Sequence, residues 1–491
     1  MKITKDIYTC SFALLTDLYQ LTMSYGYWKS GKADQEAVFH LFFRKNPFHG
    51  GFTIACGLEY VTDYLNNFCF NGEDLEYLST LKGNDNQPLF EKGFLDYLSN
   101  LKFTCNVDAV PEGSVVFPHE PLVRISGPLI QCQILETPLL NIINFQSLIA
   151  TKAARVVKAT HGEPVLEFGL RRSQGIDGGL AASRASYIGG AAATSNVLAG
   201  KLFDIPVKGT HAHSWVMSFD TEQEAFNEYA EALPNNCVFL VDTYDTLEGV
   251  KHAIETGKKL RAQGHEMVGI RLDSGDLAYL SIEARKLLDE AGFEKAVIVA
   301  SNDLDENIIS SLKDQGAKIN VWGVGTKLVT AYDQPALGGV YKLAAIKDKT
   351  GKWNYKVKLS EQTIKVSNPG ILQVRRYYNE TEYLGDMIYN IEDFREGNDT
   401  IIVDPVDITK RKKMSKELKQ KDLLVPVFRN GKLVYTHPSI HRIRQHAQDE
   451  LKMFHEGVKR FLNPHSYPVG LELGLFNYKT DLILKLREKK L

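Results

Sequence analysis

The stretch VFLVDTYDTLEGVKHAIETGKKLRAQGHEMVGIRLDSGD, residues 238–276, decides the fold. It opens with a short apolar run, 238–241, and breaks at once into the polar cluster Asp242-Thr243-Tyr244-Asp245. A helix-like segment follows over 246–262, then a second apolar run, 268–271, and a second polar cluster, Leu272-Asp273-Ser274-Gly275-Asp276. Buried strand, crossover helix, buried strand is the reading, and a crossover of this length joins parallel strands. The same unit recurs on both sides. Apolar runs at 165–168, 206–208, 297–300 and 319–322 alternate with helix-like segments at 276–291 and 303–315, so the expectation is an α/β chain whose parallel strands close into a barrel rather than an open sheet.

Nearly every run ends in a polar or Gly-rich cluster: FGLRRSQG, GTHAHS, DTYD, RLDSGD, SND and GVGT. Loops at the C-terminal mouth of a parallel barrel converge over a rigid core, so these clusters are expected to line one pocket.

Away from this region the texture changes. Leu14, Leu18, Leu21 and Tyr25 fall at helical spacing within 11–30, residues 36–43 suit a strand and 90–101 a helix, and 106–130 reads as short strands broken by Pro and Gly. A long helix is expected over 135–159. Beyond 345 short strands mix with turns, the basic run 410–421 reads as a solvated helix or loop, and C-terminal helices are expected near 440–461 and 481–490. The expected domains are an N-terminal sheet domain over 1–134, a barrel over 135–345 and a C-terminal region over 346–491 that packs back on both.

Composition narrows the function. The 491 residues carry 58 Lys+Arg against 60 Asp+Glu, a net charge of -2, so there is no global basic field for nucleic acid, and an anionic ligand must be small and met locally. The six cysteines are far apart with no C-x-x-C pair, and read as reduced core residues of a cytoplasmic protein. No apolar stretch is long enough to span a bilayer, so no membrane partner is expected.

The clusters suggest chemistry. Gly323-Val324-Gly325-Thr326 offers backbone and hydroxyl donors to a phosphate. Arg271 can clamp an anion, Asp273 can accept from ribose hydroxyls or hold Mg²⁺, and Ser274-Gly275 add donors, although Ser274 as a helix cap is equally open. Arg171 and Arg172, side by side after a strand, call for a facing anion. Gly209-Thr210-His211-Ala212-His213-Ser214 admits two readings. One is a zinc hydrolase using His211 and His213, though His252 and His265 are poorly placed as further ligands. The other is a single reactive imidazole oriented by Asp242 or Asp245.

On these motifs the chain resembles the nicotinate phosphoribosyltransferases. The matching pieces include LLTDLYQLTMSYGYW from Leu14, FFRKNPF from Phe42, PEGSVVFP from Pro111, QILETPLLN from Gln133, GLRRSQGIDGGLAAS from Gly169, GTHAHSWVMSF from Gly209, GIRLDSGDL, INVWGVGTKLVT and PALGGVYKL. The resemblance implies an irregular (β/α) barrel with an N-terminal sheet-containing α/β domain and a C-terminal extension, and a homodimer that shares its active sites. It implies Mg²⁺-dependent joining of nicotinate to 5-phosphoribosyl 1-diphosphate, the first step of NAD synthesis from nicotinate, coupled to ATP hydrolysis through a phosphohistidine. The nicotinamide-using relative is the neighbouring alternative. By motif, His213 resembles the phosphorylated residue, and Tyr19 and Phe168 the aromatics that cover the pyridine ring. Arg171, Thr210 and Arg271 resemble substrate-binding positions, Asp242 and Asp273 the carboxylates near ribose, metal and histidine, and Gly323, Gly325 and Thr326 the phosphate cradle. His211 departs from the family, which often has an apolar residue there; it either perturbs His213 or packs.

Overall fold

The computed structural model describes residues 8–488, which divide into two compact units. One comprises Leu148–Pro335 with Ser439–Gln448, and the other comprises the chain up to Ser147, Ala336–Pro438 and the chain from Asp449. The C-terminal region is therefore no third domain among the described residues. Most of it shares a unit with the N-terminal third, and the boundaries differ from the expected 134/135 and 345/346.

The first unit holds the parallel strands β1 (Val165–Glu167), β2 (Ala193–Thr194), β3 (Val238–Leu240), β4 (Gly269–Leu272), β5 (Val297–Ala300) and β6 (Val321–Val324). Their order is β2-β1-β6-β5-β4-β3, every pairing is parallel, and the helices Thr246–Ala262, Leu277–Glu290 and Glu306–Asp314 make the crossovers. Apolar residues fill the strands: Phe239, Leu240, Ile270, Leu272, Ile298, Ala300, Trp322 and Val324 are buried. Each crossover helix begins at an aspartate whose carboxylate accepts backbone N–H bonds, Asp245 from Glu248, Asp276 from Ala278 and Tyr279, and Asp305 from Asn307 and Ile308.

The six strands do not close on themselves as expected: among the described residues β2 and β3 are the unpaired ends of a half-barrel sheet, which leaves a seam. The run at 206–208 is no strand; it touches β2 through a single bridge, Thr194 to Val207. The small-residue helix that opens at Gly175 ends at Ile188, Gly190 takes a φ of +117° that favours glycine, and a second helix, Val197–Phe203, follows β2.

The second unit contains two larger sheets. A seven-stranded antiparallel sheet has the order Trp353–Tyr355, Gly339–Lys347, Glu36–Phe43, Val123–Pro128, Asn106–Ala109, Val425–Arg429, Lys432–Leu433. It thus joins N-terminal strands to ones beyond 338. In the six-stranded sheet, Arg411–Met414 and Lys419–Asp422 are the two edge strands, which corrects the reading of 410–421 as a solvated helix or loop. Lysines on exposed edges oppose pairing with another chain, and this explains the basic run. The N-terminal helix is shorter than expected, Leu18–Lys29. All six cysteines are free, but only Cys56, Cys105, Cys132 and Cys237 are buried; Cys10 and Cys69 are exposed. No helix among the described residues is long and apolar enough to cross a membrane.

Candidate active site

The C-terminal ends of the six strands carry a connected set of polar side chains, with Arg271 at its centre. β4 presents Arg271 at its penultimate position, and the guanidinium donates from Nε to Ser301 Oγ (2.8 Å), from Nη1 to Thr210 Oγ1 (3.0 Å) and from Nη2 to Asp273 Oδ1 (2.8 Å). Its Cζ lies over the Phe168 ring, 5.6 Å from the centroid. One cation thus ties together the ends of β4 and β5 and the loop before His213.

Parallel register explains Ser301. Val299 pairs with Arg271 and Ala300 with Leu272, so the next residue, Ser301, falls beside Asp273 and its hydroxyl donates to the carboxylate. Burial pushes the Asp273 carboxyl up, but the Ser301 hydroxyl, Arg271 and His213 outweigh it and hold the group below the usual carboxylate range. Asp273 is therefore an anion at neutral pH.

Asp242, two residues beyond β3, has a side chain 1% exposed. Its Oδ2 accepts from the Asp273 backbone N–H (2.9 Å) and from Ser274 Oγ (2.6 Å), while its Oδ1 is buried without a hydrogen-bond partner. Ser274 therefore supports a carboxylate and does not cap the helix, a role taken by Asp276. Gly275 turns the chain there with a φ of +78°.

His213 opens the short helix His213–Met217. Its Nδ1 lies 3.1 Å from Thr243 Oγ1, and its Nε2 stands 4.0 Å from Asp242 Oδ1 and 3.9 Å from Asp273 Oδ2. The ring is oriented by Thr243, not by Asp242 or Asp245; Asp245 is committed to its helix cap. The side chain is 39% exposed, so Nε2 faces two carboxylates on an accessible imidazole.

On the other side of the mouth, Glu167 ends β1 fully buried. Its carboxylate accepts from Gly169 N–H, Ser183 Oγ and Thr194 Oγ1, which fixes the turn carrying Phe168. Gly323 is required beside it: a Cβ there would lie 2.8 Å from the Phe168 ring. Gly325 packs on the Phe168 carbonyl. Thr326 opens a one-turn helix and accepts from Arg172 Nη1 (3.0 Å). Arg171 sits in the same turn, Leu170–Arg172, and is exposed.

Phe168, Thr210, His213, Asp242, Arg271, Asp273, Ser274, Gly323 and Gly325 are thus brought together, and Thr326 joins through Arg172. Tyr19 lies in the other unit, on the helix Leu18–Lys29, with 48% of its surface exposed. The sequence motifs do not single out Thr243, Ser301 or Glu167, whereas Arg172, expected to face an anion, reaches Thr326. Ser301 and Thr243 stood inside the polar clusters already noted, and strand register would have singled out Ser301.

The zinc reading fails on geometry. His211 Nε2 accepts from Leu240 N–H (3.2 Å), His252 meets Glu222 (2.9 Å) and His265 meets Asn235 (2.9 Å). Among the described residues no three His, Cys, Asp or Glu side chains form a metal cluster.

Family models match most of the chain. Residues 14–144 match the nicotinate phosphoribosyltransferase N-terminal domain, 165–366 the nicotinate phosphoribosyltransferase family and 372–479 its C-terminal domain. The chain belongs to the nicotinate phosphoribosyltransferase family. It is 45% identical to the nicotinate phosphoribosyltransferase of Bacillus subtilis, covering 98% of this chain and 96% of that one. It is 38% identical to that of Caenorhabditis elegans, with 96% and 93% covered. The crystal structure of human nicotinic acid phosphoribosyltransferase superposes with a TM-score of 0.82 at 32% identity, over 95% of this chain and 99% of that chain. As a family member the chain carries the irregular barrel with its sheet-rich second unit, and the C-terminal match shows that the likeness runs well past residue 345.

Proposed function

We propose that the chain transfers the 5-phosphoribosyl group from 5-phosphoribosyl 1-diphosphate to nicotinate, giving nicotinate mononucleotide and diphosphate, and couples this to ATP hydrolysis through transient phosphorylation of His213. The observation that carries the reading is the accessible imidazole of His213, with Nδ1 at Thr243 and Nε2 within 4.0 Å of both Asp242 and Asp273. An Nδ1–H donated to Thr243 Oγ1 leaves the Nε2 lone pair free. Nε2 forms a bond to the γ-phosphorus of ATP, the bond from that phosphorus to the β,γ-bridging oxygen breaks, and ADP leaves. Water later cleaves the N–P bond, releasing phosphate and restoring the imidazole.

In the transfer itself the pyridine nitrogen attacks the anomeric carbon as the diphosphate departs, through a transition state with oxocarbenium character. The ring lies over Phe168, Arg271 and Thr210 meet anionic groups, and Gly323, Gly325 and Thr326 receive the 5-phosphate. Arg271 is held by three hydrogen bonds before any ligand arrives, so little reorganisation is needed.

Two carboxylates beside a phosphate acceptor repel it unless a cation stands between. Asp242 Oδ1, buried and without a hydrogen-bond partner, and Asp273 Oδ2 are hard oxygen donors that suit Mg²⁺, which takes one or two carboxylates and fills its shell with water and substrate phosphate. Mg²⁺ bound there neutralises phosphate charge.

The partner in this reading is a second copy of the chain. Phe12, Leu15, Leu18, Tyr19 and Met23 are exposed at 46%, 45%, 53%, 48% and 37%, an apolar surface rimming Tyr19 that suits a homodimer with shared active sites. Sedimentation as a monomer would remove that part of the reading.

Incubation with ATP labelled at the γ-phosphate is expected to leave an acid-labile label on His213. The variant H213A is expected to take up no label and to lose ATP stimulation while keeping slow transfer. Full ATP coupling in H213A would overturn the assignment. Competing nicotinate against nicotinamide in the same assay separates the two substrate readings.

A further inference from the structure

The parallel sheet ends at β3, and the strand alternation leaves one awkward group there. Val241 N–H bonds to Arg271 O on β4, so Leu240 N–H points the opposite way, towards the seam. Leu240 is 1% exposed, and a backbone donor buried without a partner is strongly unfavourable. Among the described residues no ladder runs from the segment 206–212 to β3; that segment instead bridges β2, with Thr194 N–H bonded to Pro206 O and Lys208 N–H to Thr194 O, both at 3.0 Å.

His211 reaches the orphan. Its Nε2 accepts from Leu240 N–H at 3.2 Å, and its Nδ1 stands 3.4 Å from Ala212 O. Both contacts are satisfied by one neutral form, with the proton on Nδ1. The ring is 7% exposed and packs 4.9 Å from Tyr229 and 6.1 Å from Phe226 between centroids. Burial, reinforced by the nearby charge of Arg271, outweighs the Ala212 carbonyl and lowers its pKa to about 4, so the accepting form persists at neutral pH.

The two elements joined here are those that carry the reacting groups. Thr210, on the His211 side, receives Arg271, and His213 follows two residues later. On the Leu240 side, Asp242 and Thr243 follow two and three residues later, and Thr243 holds His213 Nδ1.

We propose that His211 is a positioning residue: its imidazole takes the place of missing strand pairing at the barrel seam and so sets the separation of His213 from Asp242 and Thr243. This deepens the reading of His213 given above and rests on it for the catalytic consequence.

Two variants test it. H211L fills similar space against Tyr229 and Phe226 but cannot accept from Leu240, whereas H211Q restores an acceptor. Amide exchange of Leu240 is expected to be slow in the wild type and in H211Q and at least ~10-fold faster in H211L. H211L is expected to lose roughly 10- to 100-fold in kcat. KM for nicotinate should stay within about two-fold, and H211Q should recover most of kcat. Wild-type exchange and kcat in H211L would overturn the proposal, as would an H211Q no better than H211L. Where H211L does not fold, H211Q decides: a protected Leu240 amide with near wild-type kcat supports the role, and an unprotected one overturns it. Exchange at Leu240 does not depend on phosphorylation, so an unlabelled His213 together with the expected exchange pattern would remove the phosphohistidine and leave the seam intact.

Discussion

Replacing Arg271 with lysine is expected to lower kcat/KM for phosphoribosyl transfer by on the order of 10²- to 10³-fold, while the melting temperature changes little. The loss follows from directionality. The guanidinium holds Ser301, Thr210 and Asp273 at once, through three different nitrogens, and also lies across the Phe168 ring. An ammonium on a flexible stem offers no such planar fork, and cannot keep the three elements in register while meeting an anion. Asp273 also loses one of the groups that holds its carboxyl low, so the charge at the Nε2 side of His213 becomes less secure. Steady-state kinetics with varied nicotinate and 5-phosphoribosyl 1-diphosphate, alongside calorimetric melting, checks the result. A lysine variant within about three-fold of wild type would show that Arg271 acts only on local folding.

The second large effect concerns stability, in the sheet-rich unit. Arg376 is fully buried, with Nη2 donating to Asp386 Oδ2 (2.6 Å) and to the Val115 carbonyl (2.8 Å), and Nη1 to Glu450 Oε2 (2.8 Å). Tyr383, Phe454, Phe117 and Tyr467 surround it at 4.9, 5.1, 5.8 and 6.0 Å. Lys421 Nζ meets the other Glu450 oxygen at 2.6 Å. Burial, reinforced by the Asp386 charge, pushes the Glu120 carboxyl well up and favours its neutral form. Two cations then balance two carboxylates in this interior. R376M keeps the volume but strands Asp386 and Glu450, and is expected to lose about 3–5 kcal/mol of stability. The corresponding fall in melting temperature is roughly 10 °C, read by calorimetry. The double change R376M/D386L, which removes charge in pairs, is expected to recover part of it. A fall under about 2 °C in R376M would mean that water or relaxation already compensates the carboxylates.

Much of the catalytic unit is legible in the chain because its signals are local. The runs at 238–241, 268–271 and 297–300 sit within a residue of strands β3, β4 and β5, and the polar clusters after them hold the site. Where the reading went astray, a distant partner had decided. Residues 206–208 look like a strand but find only one bridge, because the segment must bend towards His211 and His213. The basic run at 410–421 looks like solvent-facing loop, yet forms both edges of a sheet whose centre is built from residues far away in the chain.

Residues alone determined that strands alternate with helices, that their ends carry Arg, Asp, His, Gly and Thr, and which family those motifs resemble. Hydrophobic period, capping and turn chemistry act over a few neighbours and can be read along the chain. Only the tertiary structure decided that Thr243 rather than Asp245 faces His213, that Ser301 serves Asp273, that Leu240 is completed by His211, and that strands beyond 338 share a sheet with 36–43. Those pairings depend on strand register and on where loops end in space, which are properties of contacts between segments remote in sequence.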